Sequence, residues 1–470
     1  MRNSCALAWS LCLALLAGCG GSLPEEPPRY GFEVGDRVTY SVEESENAPD
    51  IPPSRSEGTL TLWVLEARDD GGWHIAYERE TRSKPPPGQP PGAPHLRYGH
   101  FVLHPDGTHT FFEAVPFEKL APVFPRLPQD KTAMEQDWQS PSLFLAIPRV
   151  HWAFHFEEGG WFSGSAYPMA GAWGGMPEAH RHGRETCTST FDVEEGLIIN
   201  VHIVTEAPKH KGETRYTLTD RHTMPEAARR AWRDEVARYF GALDALDRME
   251  KADQQAALEA SSAYTTQDAA AAVQARARLL RDAAQTVGEH RLAQQLTRKA
   301  GGLEERLDYY AGILCSIAKL PAALADWEAP ALAGTMHNAT SLHGTITVLA
   351  FWHSENFISW VMRPALERVS THFADAPVRI VGVNFDDDPA AARAYAEEHG
   401  ITWPSIQAAA MLGDWDCPGF PLVVVLDATG APHHIEVRRW HKLDEALIQA
   451  IEPLVAEPTP DREEAMDNAG

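Results

Sequence analysis

Just before Pro225 the hydrophobic pattern of this chain changes period, and that change constrains the fold more than any other feature. Upstream, from about Tyr30 to Thr223, short runs alternate apolar and polar residues with the two-residue period of a strand. Arg37 to Val42 is one such run. Thr59 to Leu65 (TLTLWVL) is another, and it meets Trp73 to Tyr77 (WHIAY) across an Asp70-Gly71-Gly72 turn. A second hairpin is expected around His104-Pro105-Asp106-Gly107, between Tyr98 to Leu103 and Thr108 to Phe112. Leu197 to Val204 and Glu213 to Thr219 read as the last strands. This predicts an antiparallel sandwich or curved half-barrel over residues 30–223. Downstream, Pro225 to about Leu320 is rich in Ala, Arg, Glu, Leu and Gln and poor in Pro and Gly. Trp232, Val236, Tyr239, Phe240 and Leu243 recur at helical spacing. Several antiparallel helices are expected over 224–321, with Thr223 capping the first and Pro225 in its first turn. A spacer, a dimerisation surface and a lid on the next domain are all open roles for them. At roughly 150 residues per domain, 470 residues suggest about three domains.

The N-terminus reads as a targeting signal over residues 1–18. Arg2 supplies a positive charge, and Ala6 to Ala17 is an apolar run too short to span a bilayer comfortably. Leu16-Ala17-Gly18-Cys19 then resembles the bacterial lipobox, which implies a lipid on Cys19 and a tether over 19–29. Stable anchoring follows from two or three acyl chains. Gly20 and Gly21, in place of an aspartate, favour the outer membrane of a bacterial envelope, with the body facing the periplasm or the surface. A formal net charge of −25 argues against nucleic acid or anionic lipid as a partner surface. Cys5 and Cys12 leave with the signal, so Cys187, Cys315 and Cys417 remain, and at most one pair among them can form. Lys84 to Pro94 reads as a polyproline-like loop, and residues 458–470 as a disordered acidic tail.

Residues Ile346 to Pro364 read ITVLAFWHSENFISWVMRP. Val348 to Trp352 reads as a strand, and Pro364 follows it. Asp326 to Leu332, Val378 to Phe385, Asp386-Asp387-Asp388-Pro389, Gly400 to Pro404 and Gly419-Phe420-Pro421 before Leu422 to Leu426 follow in order. This succession resembles the thioredoxin-like redoxins, closest to the periplasmic thiol–disulfide reductases of the TlpA/ResA type, over residues 322–457. The resemblance implies an α/β fold and a cis peptide bond at Pro421, facing the active-site helix. It also implies a Cys-x-x-Cys, and here that position is Asn356-Phe357-Ile358-Ser359. Dithiol exchange needs a thiolate to attack and a second thiol to resolve. Asn and Ser supply neither.

Other chemistry finds little support at the same positions. Asn356 makes a good N-cap. Ser359 with nearby His353 lacks an orienting acid, and a lone histidine at 353 reads as a surface residue. Cys417, four residues before Pro421, is a possible reactive thiol, although an unreactive buried thiol is the plainer reading. His151 with His155, His180 with His182, and His433 with His434 are close pairs without a ligand quartet. No metal, cofactor or catalytic residue is expected.

The sequence therefore reads as a multi-domain lipoprotein: an N-terminal antiparallel β domain, a central α-helical segment and a C-terminal α/β thioredoxin-like domain with a degenerate redox motif. The expected function is to bind a protein or peptide partner, with Asn356, Phe357, Phe420 and Pro421 lining the face. An oxidoreductase working through Cys417 or a partner's thiols, and an envelope scaffold built on the β domain, are the alternatives.

Overall fold

The structure is a computed structural model that describes residues 26–48, 51–85, 92–111, 124, 126–130, 132, 138–141, 151–157, 161–166, 184–207, 210–354, 356–413, 415–438 and 442–456. The leader, Cys19, His180, His182, the centre of the proline-rich loop and the acidic tail lie outside these residues. Backbone alone is described for 357–361 and for the strand carrying His151 and His155. The chain divides into two compact units near Arg229.

The first unit is one antiparallel sheet. Its strands are β1 (Asp36–Ala48), β2 (Ile51–Ala67), β3 (Trp73–Ser83), β4 (His95–Leu103), β5 (His109–Phe111), β6 (Trp138–Pro141), β7 (His151–Glu157), β8 (Trp161–Ala166), β9 (Arg184–Asp192), β10 (Leu197–Ala207) and β11 (His210–Thr223). They lie in the order β5-β4-β3-β2-β1-β11-β10-β9-β8-β7-β6. One meander runs out from β1, the other runs back to β11, and β11 pairs with β1.

The sheet is strongly curled. Consecutive residues of the N-terminal segment bridge two distant turns: Tyr30 N–H donates to Pro105 O at 2.8 Å, and Gly31 N–H to Gly196 O at 2.9 Å. Pro105 follows β4 and Gly196 precedes β10, five strand spacings away, or about 24 Å along a flat sheet. Only curvature brings both within reach of one dipeptide. Gly196 sits at φ +64°, and a Cβ there would fall 2.3 Å from Gly31 N, so glycine is required. Tyr30, Phe32 and Phe124 fill the enclosed side, with Tyr30 5.6 Å from Phe191 and Phe124 5.8 Å from Phe101, ring centre to ring centre. Tyr40, Leu60, Leu62, Tyr77 and Tyr216 are fully buried with them. The Tyr40 hydroxyl keeps a partner there by donating to Ile198 O at 2.9 Å.

The second unit opens with four helices, α1 (Glu226–Ala260), α2 (Thr266–Thr286), α3 (His290–Glu305) and α4 (Leu307–Ala325). Thr223 does not cap α1 as the sequence suggested. It ends β11 in register with Asp36, and Pro225 O accepts the first helical bond, from Arg229 N. The β ladder takes Thr223 before the helix can. A capping box of Thr265 and Asp268 starts α2.

The rest of the unit alternates strands and helices: β12 (Glu328–Pro330), β13 (Met336–Asn338), β14 (Ile346–Trp352), α5 (Phe357–His372), β15 (Val378–Asn384), α6 (Pro389–Glu398), β16 (Ser405–Gln407), α7 (Ala408–Leu412), β17 (Leu422–Leu426), β18 (Pro432–Val437) and α8 (Leu443–Ala456). The main sheet has the order β16-β15-β14-β17-β18. β14 is parallel to β15 and antiparallel to β17. All seven residues of β14 are buried, as a strand covered on both faces requires. Val348, Ala350 and Trp352 pack in one cluster with Leu366 and Val369 of α5 and Leu447 and Ile451 of α8. This is the thioredoxin-like arrangement that the sequence resemblance implies.

Candidate functional site

Ligands of open α/β sheets bind beyond the carboxyl ends of the parallel strands. At that end of β14 the register decides which residues meet. Trp352 pairs with Asn384, so His353 and Ser354 emerge beside Phe385 and Asp386. Phe351 pairs with Leu422, so Pro421 emerges beside the turn into α5. Asn356 directly precedes α5, at the N-cap position, and its N–H donates to His353 O at 3.0 Å.

Asp386 organises the turn. Its side chain is 4% exposed and lies 3.0 Å from His353 Nδ1. It also accepts the Ser354 N–H at 3.1 Å, the Ser354 hydroxyl at 2.7 Å and the Asn384 amide at 2.6 Å. A buried carboxylate is tolerated because both of its oxygens find donors. Sequence reasoning missed this hub and so left His353 without an acid. The signal was in the register: the first residues after two parallel neighbours leave the sheet side by side.

The loop before β17 forms the opposite wall. The Phe420–Pro421 peptide bond is cis. Pro421 is buried and Phe420 half-buried. The Phe420 ring stands 5.5 Å from Phe385, Phe385 6.1 Å from Phe351, and Phe351 5.9 Å from Trp415, forming an aromatic floor. Among the described residues the N–H and C=O of Phe420 take no hydrogen bond, whereas Pro421 O accepts from Arg438 N at 2.6 Å. A short edge of unpaired backbone thus lies between buried groups. The side chains of Phe357, Ile358 and Ser359 fall outside the description; Asn356 directly precedes α5, and Phe420 and Pro421 share the cis peptide bond of the loop before β17.

Helix α4 borders this loop. Trp415 Nε1–H donates to Ser316 O at 2.8 Å, and the Ser316 hydroxyl donates to Asp416 O. One helical face is used, since Tyr309 lies two turns before Ser316 and holds Arg438, whose guanidinium carbon is 5.1 Å from the ring centre. Arg438 itself runs across Gly419, where a Cβ would meet its Nε at 2.7 Å.

Cys417 is half-buried in the same loop. Burial pushes its thiol up to about 11, and nearby Asp416 acts in the same direction. A thiolate nucleophile needs the reverse shift. No disulfide joins Cys187, Cys315 and Cys417. No group of three or more His, Cys, Asp or Glu able to hold a metal occurs among the described residues. His434 is occupied by Glu436, 3.1 Å away.

No family model and no curated protein matches the chain. Solved structures do. A secreted thiol-disulfide isomerase from Corynebacterium glutamicum matches with 22% identity over 28% of this chain and 84% of its own, at a TM-score of 0.26. A DsbF homologue from Corynebacterium diphtheriae matches with 24% identity over 27% and 83%, at 0.24. A secreted Mycobacterium tuberculosis disulfide oxidoreductase, homologous to E. coli DsbE, matches with 18% identity over 27% and 98%, at 0.24. No helix among the described residues is long and apolar enough to cross a membrane.

Proposed function

We propose that this chain is an envelope lipoprotein, tethered through Cys19 to the outer membrane, whose α/β region binds an extended segment of a protein partner without dithiol chemistry. The observation that carries the reading is the unpaired backbone of Phe420, whose ring stands on the aromatic floor. An extended peptide adds to such an edge through main-chain hydrogen bonds. The lipid anchor rests on Leu16-Ala17-Gly18-Cys19. The missing cysteines at 356 and 359 and the raised pKa of Cys417 weigh against exchange chemistry.

The test is a photo-crosslinking amino acid placed at position 420 of the full chain in cells. The expected result is a discrete adduct that Asn356→Arg suppresses. Adducts no stronger than those from the exposed position Glu397 would overturn the proposal.

A further inference from the structure

Outside the α/β region, three side chains from adjacent strands of the large sheet line up. The β2–β3 register pairs Glu66 with His74, and the β3–β4 register places His100 opposite Ala76, one pleat along from His74. A bulge between Val64 and Glu66 resets β2 and turns the Glu66 side chain onto the face that His74 occupies. His74 Nε2 then lies 2.9 Å from His100 Nδ1, and His74 Nδ1 lies 3.3 Å from Glu66 Oε1. The His74 side chain is 18% exposed and Glu66 48%, so the group opens toward solvent from the glutamate side.

We propose that His74 Nε2 and His100 Nδ1 form a two-imidazole site for a divalent transition-metal ion of the zinc, copper or nickel class. Imidazole nitrogen suits these ions, and their first coordination sphere can be completed by water. Metal–nitrogen bonds of about 2.0–2.1 Å at a tetrahedral angle separate two ligand atoms by roughly 3.3 Å. The two rings therefore need to part by only about 0.4 Å. Glu66 occupies the place of the carboxylate that orients a ligating histidine through its other nitrogen.

The proton count closes. With His74 Nδ1–H donated to Glu66, Nε2 offers a lone pair and accepts from His100 Nδ1–H. When the ion enters, the proton on His100 Nδ1 passes to the Nε2 of the same ring by tautomer exchange through solvent, and each ring presents a lone pair with no net proton released. The neutral imidazole is the ligating form. Bound metal would clamp β3 to β4. The inference is independent of the proposed binding at Phe420.

The full chain is titrated with Zn²⁺ by calorimetry and with Cu²⁺ under electron paramagnetic resonance. The chain has 21 histidines, so the readout is the difference between wild type and variants. The expected result is a micromolar Zn²⁺ site that His74→Gln and His100→Gln remove and that Glu66→Gln weakens several-fold. The Cu²⁺ spectrum should show two coupled nitrogens. The proposal is overturned if wild type takes up no ion, or if folded histidine variants keep the same site. Should a histidine variant fail to fold, the decision passes to Glu66→Gln, and an unchanged affinity there overturns the proposal.

Discussion

Trp415 donates its indole N–H to the carbonyl of Ser316 at 2.8 Å, fastening the loop that carries Cys417 and Pro421 to helix α4. The bond reaches across 99 residues of sequence. Trp415→Phe keeps the ring beside Phe351 and deletes only the donor. A net hydrogen bond contributes about 0.5–1.5 kcal/mol, so amide exchange over 415–421 should accelerate by roughly two- to tenfold. Unchanged protection would mean that α4 does not hold the loop.

Asp386 accepts from Ser354, Asn384 and His353 while nearly buried. Asp386→Ala strands these donors and should cost about 2–4 kcal/mol. In a unit of this size that is a fall of roughly 5–12 °C in the midpoint of its thermal transition. Ser354→Ala removes one donor and should cost about 1 kcal/mol. Differential scanning calorimetry of both variants checks the ranking, which equal effects would refute.

Cys417 should behave as an inert thiol. With its pKa raised to about 11, the thiolate forms only as pH climbs toward that value, so its fraction near pH 8 is about a thousandth. Reaction with a disulfide reagent at residue 417 should rise about tenfold per pH unit above 8. Insulin reduction with dithiothreitol should stay at background in wild type and in Cys417→Ser alike. A wild-type rate that disappears in the variant would make the chain a one-cysteine redox enzyme.

Gly58 sets the spacing of β2 against β3. A Cβ there would lie 1.7 Å from Glu80 O and 2.8 Å from its carbonyl carbon, so backbone rather than a mobile side chain must move. Gly58→Ala should destabilise the sheet by at least about 3 kcal/mol, at the upper end of overpacking costs. Circular dichroism on heating should show the β transition lowered or lost. Wild-type stability would refute a close approach of the two backbones at Gly58.

Much of the α/β region was legible in the chain. The apolar runs Ile346 to Trp352 and Leu422 to Leu426 have no polar face to hide, so they had to become central strands. The Asp388 carboxylate accepts the Ala390 N–H at 2.8 Å at the start of α6, with Pro389 in its first turn, a local arrangement. The alternation between Arg37 and Val42 announced β1, and the change of period before Pro225 announced the helices. That positions 356 and 359 hold no dithiol needed no structure, because Asn356 and Ser359 carry no sulfur. These are local properties: side-chain period, turn chemistry and residue identity act over a few residues.

What remained lay between segments far apart in sequence. Glu66, His74 and His100 share one face because a bulge in β2 resets the register, and no periodicity within any one strand reveals the alignment. Asp386 finds His353 only because β14 and β15 run parallel and end together. Tyr30 and Gly31 tie two turns that a flat sheet would hold about 24 Å apart, so the curl of the sheet belongs to the assembled fold. The sequence by itself determined many of the strands and helices and that positions 356 and 359 bear no thiol. Register, bulges and curvature decided which polar groups meet, because those contacts are set by backbone hydrogen bonding between strands rather than by the residues that use them.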